Sequence, residues 1–159
     1  MLERNVFADS FHRGIHLLDG ATGTSLIKAG MPHGCCQEAW ILEHPEVIIE
    51  LQRSYAKAGS EIIYAPTFQA NPLALGRHGL EADMTSINAQ LIALSRKAAP
   101  NKLIAGNLTT LRAYMDISAE SNFEHMTHIY RTQIHALVQG GTDLLAAETL
   151  LHPLEAQAI

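Results

Sequence analysis

The sequence predicts an α/β fold built on a parallel sheet. Four short apolar runs, at residues 15–18, 61–65, 102–105 and 143–147, begin about 40 residues apart, which is the length of a strand–helix unit with generous loops. Patterns typical of helices lie between the runs. Strands that alternate with helices favour a parallel sheet with right-handed crossovers. The sheet is either an open doubly wound one or a (β/α)8 barrel, which typically needs about 250 residues.

The first apolar run leads into an aspartate and a glycine-rich turn, Asp19-Gly20-Ala21-Thr22-Gly23. A short apolar run of this kind predicts a strand that is buried on both faces. Asp19 then lies at the carboxyl end of the strand, where parallel α/β proteins bind their ligands. The two glycines allow a sharp turn and a close approach of the backbone to a ligand. A plain aspartate turn that closes the strand is the alternative.

Helices are predicted between the other strands from their periodicity and their end signals. Residues 45–58 form a helix with Pro45 in its first turn and Gly59 after its end, and its apolar face is predicted at positions 47, 51, 55 and 58. The next helix spans about 85–98. Ser121 and Glu124 predict a capping box at the start of a third helix, which ends at Gly140–Gly141. A last short helix is predicted over 154–159.

Composition narrows the class of protein. Apolar residues make up 47% and charged residues 17% of the 159 residues, which indicates a globular domain rather than a disordered chain. The net charge of −5 disfavours nucleic acid and anionic membrane surfaces as partners. The two cysteines are adjacent and predict no disulfide framework, so we expect a cytoplasmic protein. We expect residues 1–13 to be an N-terminal extension and residues 14–159 to form the domain.

Polar groups follow every predicted strand, and two of them are carboxylates. Asp19 follows the first strand and Glu148 follows the fourth. Carboxylates that meet at one rim can bind an ammonium group, hold a metal ion, or act as acid and base. A structural role for Glu148, in an ion pair or a helix cap, is the alternative.

Five motifs in the expected order resemble the homocysteine S-methyltransferase domain. That domain occurs in cobalamin-dependent methionine synthase, betaine–homocysteine methyltransferase and S-methylmethionine-dependent enzymes. The resemblance covers about residues 14–159. The motifs are Leu17-Leu18-Asp19-Gly20-Ala21-Thr22-Gly23-Thr24, His44-Pro45-Glu46-Val47 with Arg53-Ser54-Tyr55, Ala65-Pro66-Thr67-Phe68-Gln69-Ala70-Asn71, Arg77-His78-Gly79-Leu80-Glu81, and Gly141-Thr142-Asp143-Leu144-Leu145 through Glu148-Thr149-Leu150.

The resemblance implies a TIM-type (β/α)8 barrel, of which this chain holds roughly the first four βα units. It implies that Asp19 and Glu148 bind the ammonium group of homocysteine, that Gly20 and Thr67 contact the amino acid, and that Phe68 forms a wall. The reaction implied is methyl transfer to the thiol of homocysteine, which gives methionine. The donor implied is methyltetrahydrofolate through a corrinoid protein, betaine, or S-methylmethionine.

The resemblance also implies a zinc ion that binds the homocysteine thiol. In the family, the cysteine thiolates that bind zinc come from later strands of the barrel. This chain, as the N-terminal half of such a barrel, is therefore expected to hold no metal ligand and no catalytic residue. The isolated chain is expected to be inactive. His33-Gly34-Cys35-Cys36 does not lie where the family places its cysteine pair, and we interpret it as a loop. Asn107-Leu108-Thr109-Thr110 stands where many members carry Gly-Pro-Thr.

Two other functions remain open from the sequence. A half-barrel exposes two sheet edges, which favours a non-catalytic binding or assembly module that forms a homo-oligomer. The other alternative is a different barrel enzyme in which Asp19 and Glu148 are an acid–base pair.

Overall fold

A small parallel sheet organises the fold in the computed structural model, which describes residues 8–9, 11–12 and 14–159. Its three strands are β1 (Ile62–Tyr64), β2 (Leu103–Leu108) and β3 (Leu144–Ala147), and they pair in that order. Both pairings are parallel, with Ile63 opposite Ile104 and Gly106 opposite Leu145. The predicted α/β fold with a parallel sheet is therefore confirmed.

Helices connect the strands and cover the sheet, as the alternating pattern predicts. The three longest agree with the predicted helices to within a few residues at either end, whereas the short helices Gln37–Glu43 and Pro72–Gly76 were not predicted. The helices are α1 (Gly23–Lys28), α2 (Gln37–Glu43), α3 (Pro45–Ala58), α4 (Pro72–Gly76), α5 (Met84–Ala98), α6 (Phe123–Gln139) and α7 (Pro153–Ala158), with 3-10 turns at Glu81–Asp83 and Glu120–Asn122.

The predicted first strand is wrong in its burial and in its extent. Only Leu18 forms a bridge, parallel to Ile62, and the backbone pairs with β1 through the N–H of Asp19 and the carbonyl of Ile62, 3.1 Å apart. Ile15 is 89% exposed, and Leu17 and Leu18 are about half exposed. The reason is that no strand among the described residues pairs with the outer edge of this segment, so its apolar side chains have no cover on that side.

Two local predictions on the helices need correction. The predicted apolar face of α3 is right in part: Val47, Leu51 and Tyr55 pack against the core but are only partly buried, and Ala58 is exposed. The fully covered positions are Ile48, Ile49 and Gln52. Gln52 is buried there because its side-chain amide donates to the carbonyl oxygen of Tyr64 at 2.9 Å. The predicted capping box does not form, because the 3-10 turn Glu120–Asn122 precedes α6 and places Asn122 at the N-cap.

The core consists of two apolar clusters. One joins the strands to α6 and α7 and includes Ile63, Ile104, Leu108 and Tyr130. The other joins α1 to α5 and includes Leu26, Trp40, Ile41, Ile48, Leu75 and Leu91. Within the part of the chain that the structure describes, no helix has the length and apolar character that crossing a bilayer requires.

A buried carboxylate anchors α7 to the loop after β2. Glu155 Oε1 accepts from the N–H of Leu111 at 2.7 Å and from the Tyr130 hydroxyl at 2.8 Å. Its Oε2 accepts from the Thr110 hydroxyl at 2.9 Å and from the N–H of Leu151 at 3.0 Å. Burial raises the pKa of Glu155, but these four donors outweigh it, so its pKa lies below the usual 4.5.

We expect Glu155→Gln to lower the free energy of unfolding by about 2 kcal/mol at pH 7, because hydrogen bonds to a charged acceptor are lost. A lowered pKa stabilises the fold at pH values above the unfolded pKa, and this contribution is lost as pH falls through the folded value. Urea unfolding at pH 7 and pH 3 should therefore show the variant's deficit at pH 7 and a smaller one at pH 3. The matched control is Glu124→Gln, an exposed carboxylate on α6. An equal deficit at both pH values would show that ionised Glu155 has no special role.

Candidate functional site

A cleft of about 680 Å³ lies at the carboxyl end of the sheet. This is the end at which parallel α/β proteins bind ligands, because the loops after successive strands meet there. The turn after Leu18, the loop before α2, the segment after β1, and one residue each from the ends of β2 and β3 contribute to its walls. The polar and charged lining residues are Asp19, Thr22, His33, Cys35, Gln37, Glu38, Tyr64, Gln69, Asn107 and Glu148.

Asp19 is held in the cleft by the edge of the sheet. Its Oδ2 accepts from the N–H of Tyr64 at 3.1 Å, and its own N–H donates to the carbonyl oxygen of Ile62 at 3.1 Å. Burial raises the pKa of Asp19, and the charge of Glu148 adds a smaller upward contribution; against the opposing effect of the Tyr64 N–H, the pKa reaches about 6. A partly buried carboxylate beside a second carboxylate favours a bound cation, because a cation relieves both effects.

Glu148 enters the same cleft from the end of β3. Its N–H donates to the carbonyl oxygen of Leu108 at 3.0 Å, and its Oε1 accepts from Asn107 Nδ2 at 2.7 Å. Thr149, the next residue, has φ of 56°. This left-handed conformation is strained for a β-branched residue, and strain of this kind is found where a turn serves a site. The sequence-based prediction that Asp19 and Glu148 lie at one rim agrees with this placement.

Gly20 and Phe68 line the cleft as well. A Cβ atom at Gly20 would lie 2.9 Å from the ring of Tyr55, so no larger residue fits without a shift. The Tyr55 hydroxyl donates to the carbonyl oxygen of Ala21 at 2.8 Å. The close approach of this ring to the turn explains the glycine there, and it holds the backbone next to Asp19 in place.

Thr67 lies beneath the cleft and does not line it. Its fully buried hydroxyl accepts from the N–H of Asn107 at 2.9 Å and lies 3.1 Å from the carbonyl oxygen of the same residue. The carbonyl oxygen of Thr67 accepts from Gln133 Nε2 at 2.8 Å. The structure therefore gives Thr67 contacts that position Asn107.

Two cleft residues, Glu38 and Asn107, were given no binding role from the sequence. Glu38 is buried at the start of α2, where its Oε1 accepts from the N–H of Gln69 at 3.0 Å, and burial raises its pKa. Asn107 ends β2 and contacts Glu148. Only the position of Asn107 after an apolar run pointed to the rim. No pattern in the sequence predicts that Glu38 is buried, because its cover comes from residues distant along the chain.

The described residues contain no group of three histidine, cysteine or acidic side chains that could hold a metal ion. The exposed thiol of Cys35 donates to the carbonyl oxygen of Pro32 at 3.1 Å. The Cys36 sulfur lies 3.7 Å from Glu38 Oε2, and burial raises its pKa, which favours the thiol over the metal-binding thiolate. His33-Gly34-Cys35-Cys36 therefore lies in a loop with one exposed and one partly buried thiol.

The lining of the cleft suits a small cationic ligand. Its three carboxylates, from Asp19, Glu38 and Glu148, face no lysine or arginine among the described lining residues. Charge-assisted hydrogen bonds to a carboxylate are about twice as strong as neutral ones. The arrangement can therefore bind an ammonium group at the Asp19 and Glu148 end.

The comparisons with known proteins agree on one family. Residues 16–159 match the family model described as homocysteine S-methyltransferase. The homocysteine S-methyltransferase of Escherichia coli (strain K12) is 30% identical over 91% of this chain and 53% of its own length. Betaine–homocysteine S-methyltransferase 1 of Danio rerio is 29% identical over 72% of this chain and 29% of its own length. The chain thus spans about half of the first relative and less than a third of the second.

Solved structures give the same result. The metallated form of the homocysteine methyltransferase MmuM from Escherichia coli matches with a TM-score of 0.79 and 28% identity, over 94% of this chain and 59% of that one. The apo form of the same protein matches with a TM-score of 0.69.

We expect Asp19→Asn to leave the fold intact and to raise its stability at pH 7 by about 1 kcal/mol, a value reduced by solvent screening at this partly exposed group. A raised folded-state pKa means that the wild type loses stability as pH rises from about 4 to about 6, whereas the variant does not. Thermal unfolding at pH 4 and pH 7 tests this. A variant that is less stable than the wild type at pH 7 would show that Asp19 has mainly a structural role.

Proposed function

The chain belongs to the homocysteine S-methyltransferase family, and on that premise we propose that its cleft binds the amino-acid end of homocysteine for methyl transfer to the thiol. The observation that carries this proposal is the presence of Asp19 and Glu148 in one cleft, both held by hydrogen bonds from neighbouring strands. The chain spans about half the length of the Escherichia coli homocysteine S-methyltransferase. We therefore propose the complete reaction for the parent enzyme, meaning an enzyme that contains the whole barrel.

In this proposal the two carboxylates bind the ammonium group, Gly20 provides backbone close to the amino acid, and Phe68 provides an apolar wall for the side chain. Thr67 acts through Asn107. Fixing the amino-acid end holds the sulfur in one orientation, which lowers the entropy that the reacting atoms lose in the transition state. The thiolate then attacks the methyl carbon, and the bond from that carbon to the donor breaks with its electron pair left on the donor.

Zinc is proposed for the parent enzyme, where it would favour the thiolate form of homocysteine at neutral pH. The described residues hold no group that fits it, so we assign no step of the reaction to metal ligands in this chain. The donor is proposed to be methyltetrahydrofolate through a corrinoid partner, betaine or S-methylmethionine. The free thiols of Cys35 and Cys36 support a reducing compartment, and we propose the cytoplasm.

The exposed edge of the sheet supports a larger barrel. We propose that residues 14–159 are the first four βα units of a (β/α)8 barrel and that residues 1–13 are an extension, most of which lies outside the described residues. The half-exposed Leu17 and Leu18 and the single bridge at Leu18 are what an edge would show if a further strand paired with it.

The same exposed edge favours a second candidate function. An apolar strand edge without a partner is a template for pairing with another chain. A non-catalytic half-barrel module that dimerises through this edge would bury Ile15, Leu17 and Leu18.

We expect Asp19→Asn and Glu148→Gln each to weaken homocysteine binding by about 10- to 100-fold, because each removes one charged acceptor from the ammonium group. Isothermal titration of the purified chain at pH 7.5 measures this. Affinity of the wild type should fall as pH drops below about 6, because protonated Asp19 no longer attracts a cation. Glu124→Gln is the matched control and should bind as the wild type does. Wild-type affinity in either site variant would refute the ammonium assignment.

The dimeric alternative makes a separate prediction about mass. If the edge pairs two copies, light scattering of the wild type should give a dimer, and Leu17→Lys should give a monomer, because a charge cannot be buried there without a partner. A compact wild-type monomer that binds homocysteine would leave only the enzyme-half function.

A further inference from the structure

Asn107 lines the cleft and has an unpaired hydrogen-bond acceptor. Its side chain is 5% exposed and lines the cleft beside Glu148. Its Nδ2 donates to Glu148 Oε1 at 2.7 Å, whereas its buried Oδ1 has no hydrogen-bond partner among the described residues. A buried carbonyl oxygen without a partner is unfavourable, so a donor supplied by a ligand in the cleft would stabilise it.

The direction of the Asn107 amide is fixed by chemistry. A carboxylate can only accept, so the NH2 group of Asn107 must face Glu148, and Oδ1 must face away from it. The backbone of Asn107 is held in turn, since its N–H donates to the Thr67 hydroxyl at 2.9 Å. The amide is therefore oriented before any ligand arrives.

We propose that Asn107 Oδ1 is a third acceptor for the ammonium group of the bound amino acid, and that the site thereby prefers a primary amine. This assignment rests on the proposed function. A primary ammonium group has three N–H donors. Asp19, Glu148 and Asn107 each use one polar atom within the protein, namely Oδ2, Oε1 and Nδ2, and each has one further oxygen. Three acceptors therefore match three donors.

The location of Asn107 distinguishes it from the other buried side chains with an unpaired atom. These are Gln52 Oε1, Asn88 Oδ1 and Thr109 Oγ1, and none of them lines the cleft. A neutral acceptor also suits this site, because a third charge beside Asp19 would raise its pKa further.

A double-mutant cycle separates an acceptor from a residue that merely orients Glu148. Asn107→Leu has the same branched arrangement of side-chain heavy atoms and removes both the donor and the acceptor. If Asn107 acts only through Glu148, Asn107→Leu causes no further loss of affinity once Glu148→Gln is present, whereas loss of a direct acceptor for the ligand does. Asn107→Ala takes the place of Asn107→Leu in this cycle if the leucine variant does not fold. Asn88→Leu removes a buried amide away from the cleft and is the matched control.

The test is isothermal titration with homocysteine at pH 7.5, with circular dichroism to show that each variant is folded. We expect Asn107→Leu to bind about 10- to 100-fold more weakly than the wild type and to weaken binding further in the Glu148→Gln background, and we expect Asn88→Leu to bind within about threefold of the wild type. No further loss from the Asn107 substitution in the Glu148→Gln background would mean that Asn107 acts only as a donor to Glu148 and would overturn the third acceptor.

The failures of the two proposals are distinguishable. Wild-type affinity in Asn107→Leu, with affinity lost in Asp19→Asn and Glu148→Gln, overturns the third acceptor and leaves the proposed function standing. No homocysteine binding by the wild-type chain overturns the proposed function and the third acceptor together.

Discussion

The hydrogen bonds between Thr67 and Asn107 connect the ends of β1 and β2, and the rest of the site depends on them. They fix Asn107, which donates to Glu148 at the end of β3, so groups from all three strands share one network. Parallel pairing makes this arrangement possible, because it brings the carboxyl ends of successive strands to one edge of the sheet. Asp19 joins the network through the N–H of Tyr64, on the strand that precedes Thr67.

Electrostatic conflict in the cleft is the physical basis of its proposed function. Burial and the charge of Glu148 both disfavour the ionised form of Asp19, and its pKa rises to about 6. Glu155 shows the opposite arrangement, since four donors satisfy its carboxylate and its pKa is lowered. Asp19 and Glu148 accept fewer hydrogen bonds from the protein than Glu155 does. This is expected where a cationic ligand supplies the missing donors.

Sequence patterns predicted the regular elements well and their surroundings less well. The spacing of apolar runs predicted the parallel sheet and the long helices, because periodicity reflects which faces of an element are covered. It failed at residues 15–18, where burial depends on a neighbouring strand rather than on local composition. For α3 the predicted apolar face was right only in part, because the periodicity of apolar residues does not reveal that Gln52 is buried by its hydrogen bond to Tyr64.

The sequence by itself determined the fold class, the family resemblance, and the positions of Asp19 and Glu148 after apolar runs, since these are local patterns that need no partner. Only the tertiary structure decided which polar groups meet. It placed Thr67 beneath the cleft, buried Glu38, and brought Asn107 into contact with a residue 41 positions further along the chain. Such contacts depend on strand register and loop geometry, and the local order of residues does not encode them.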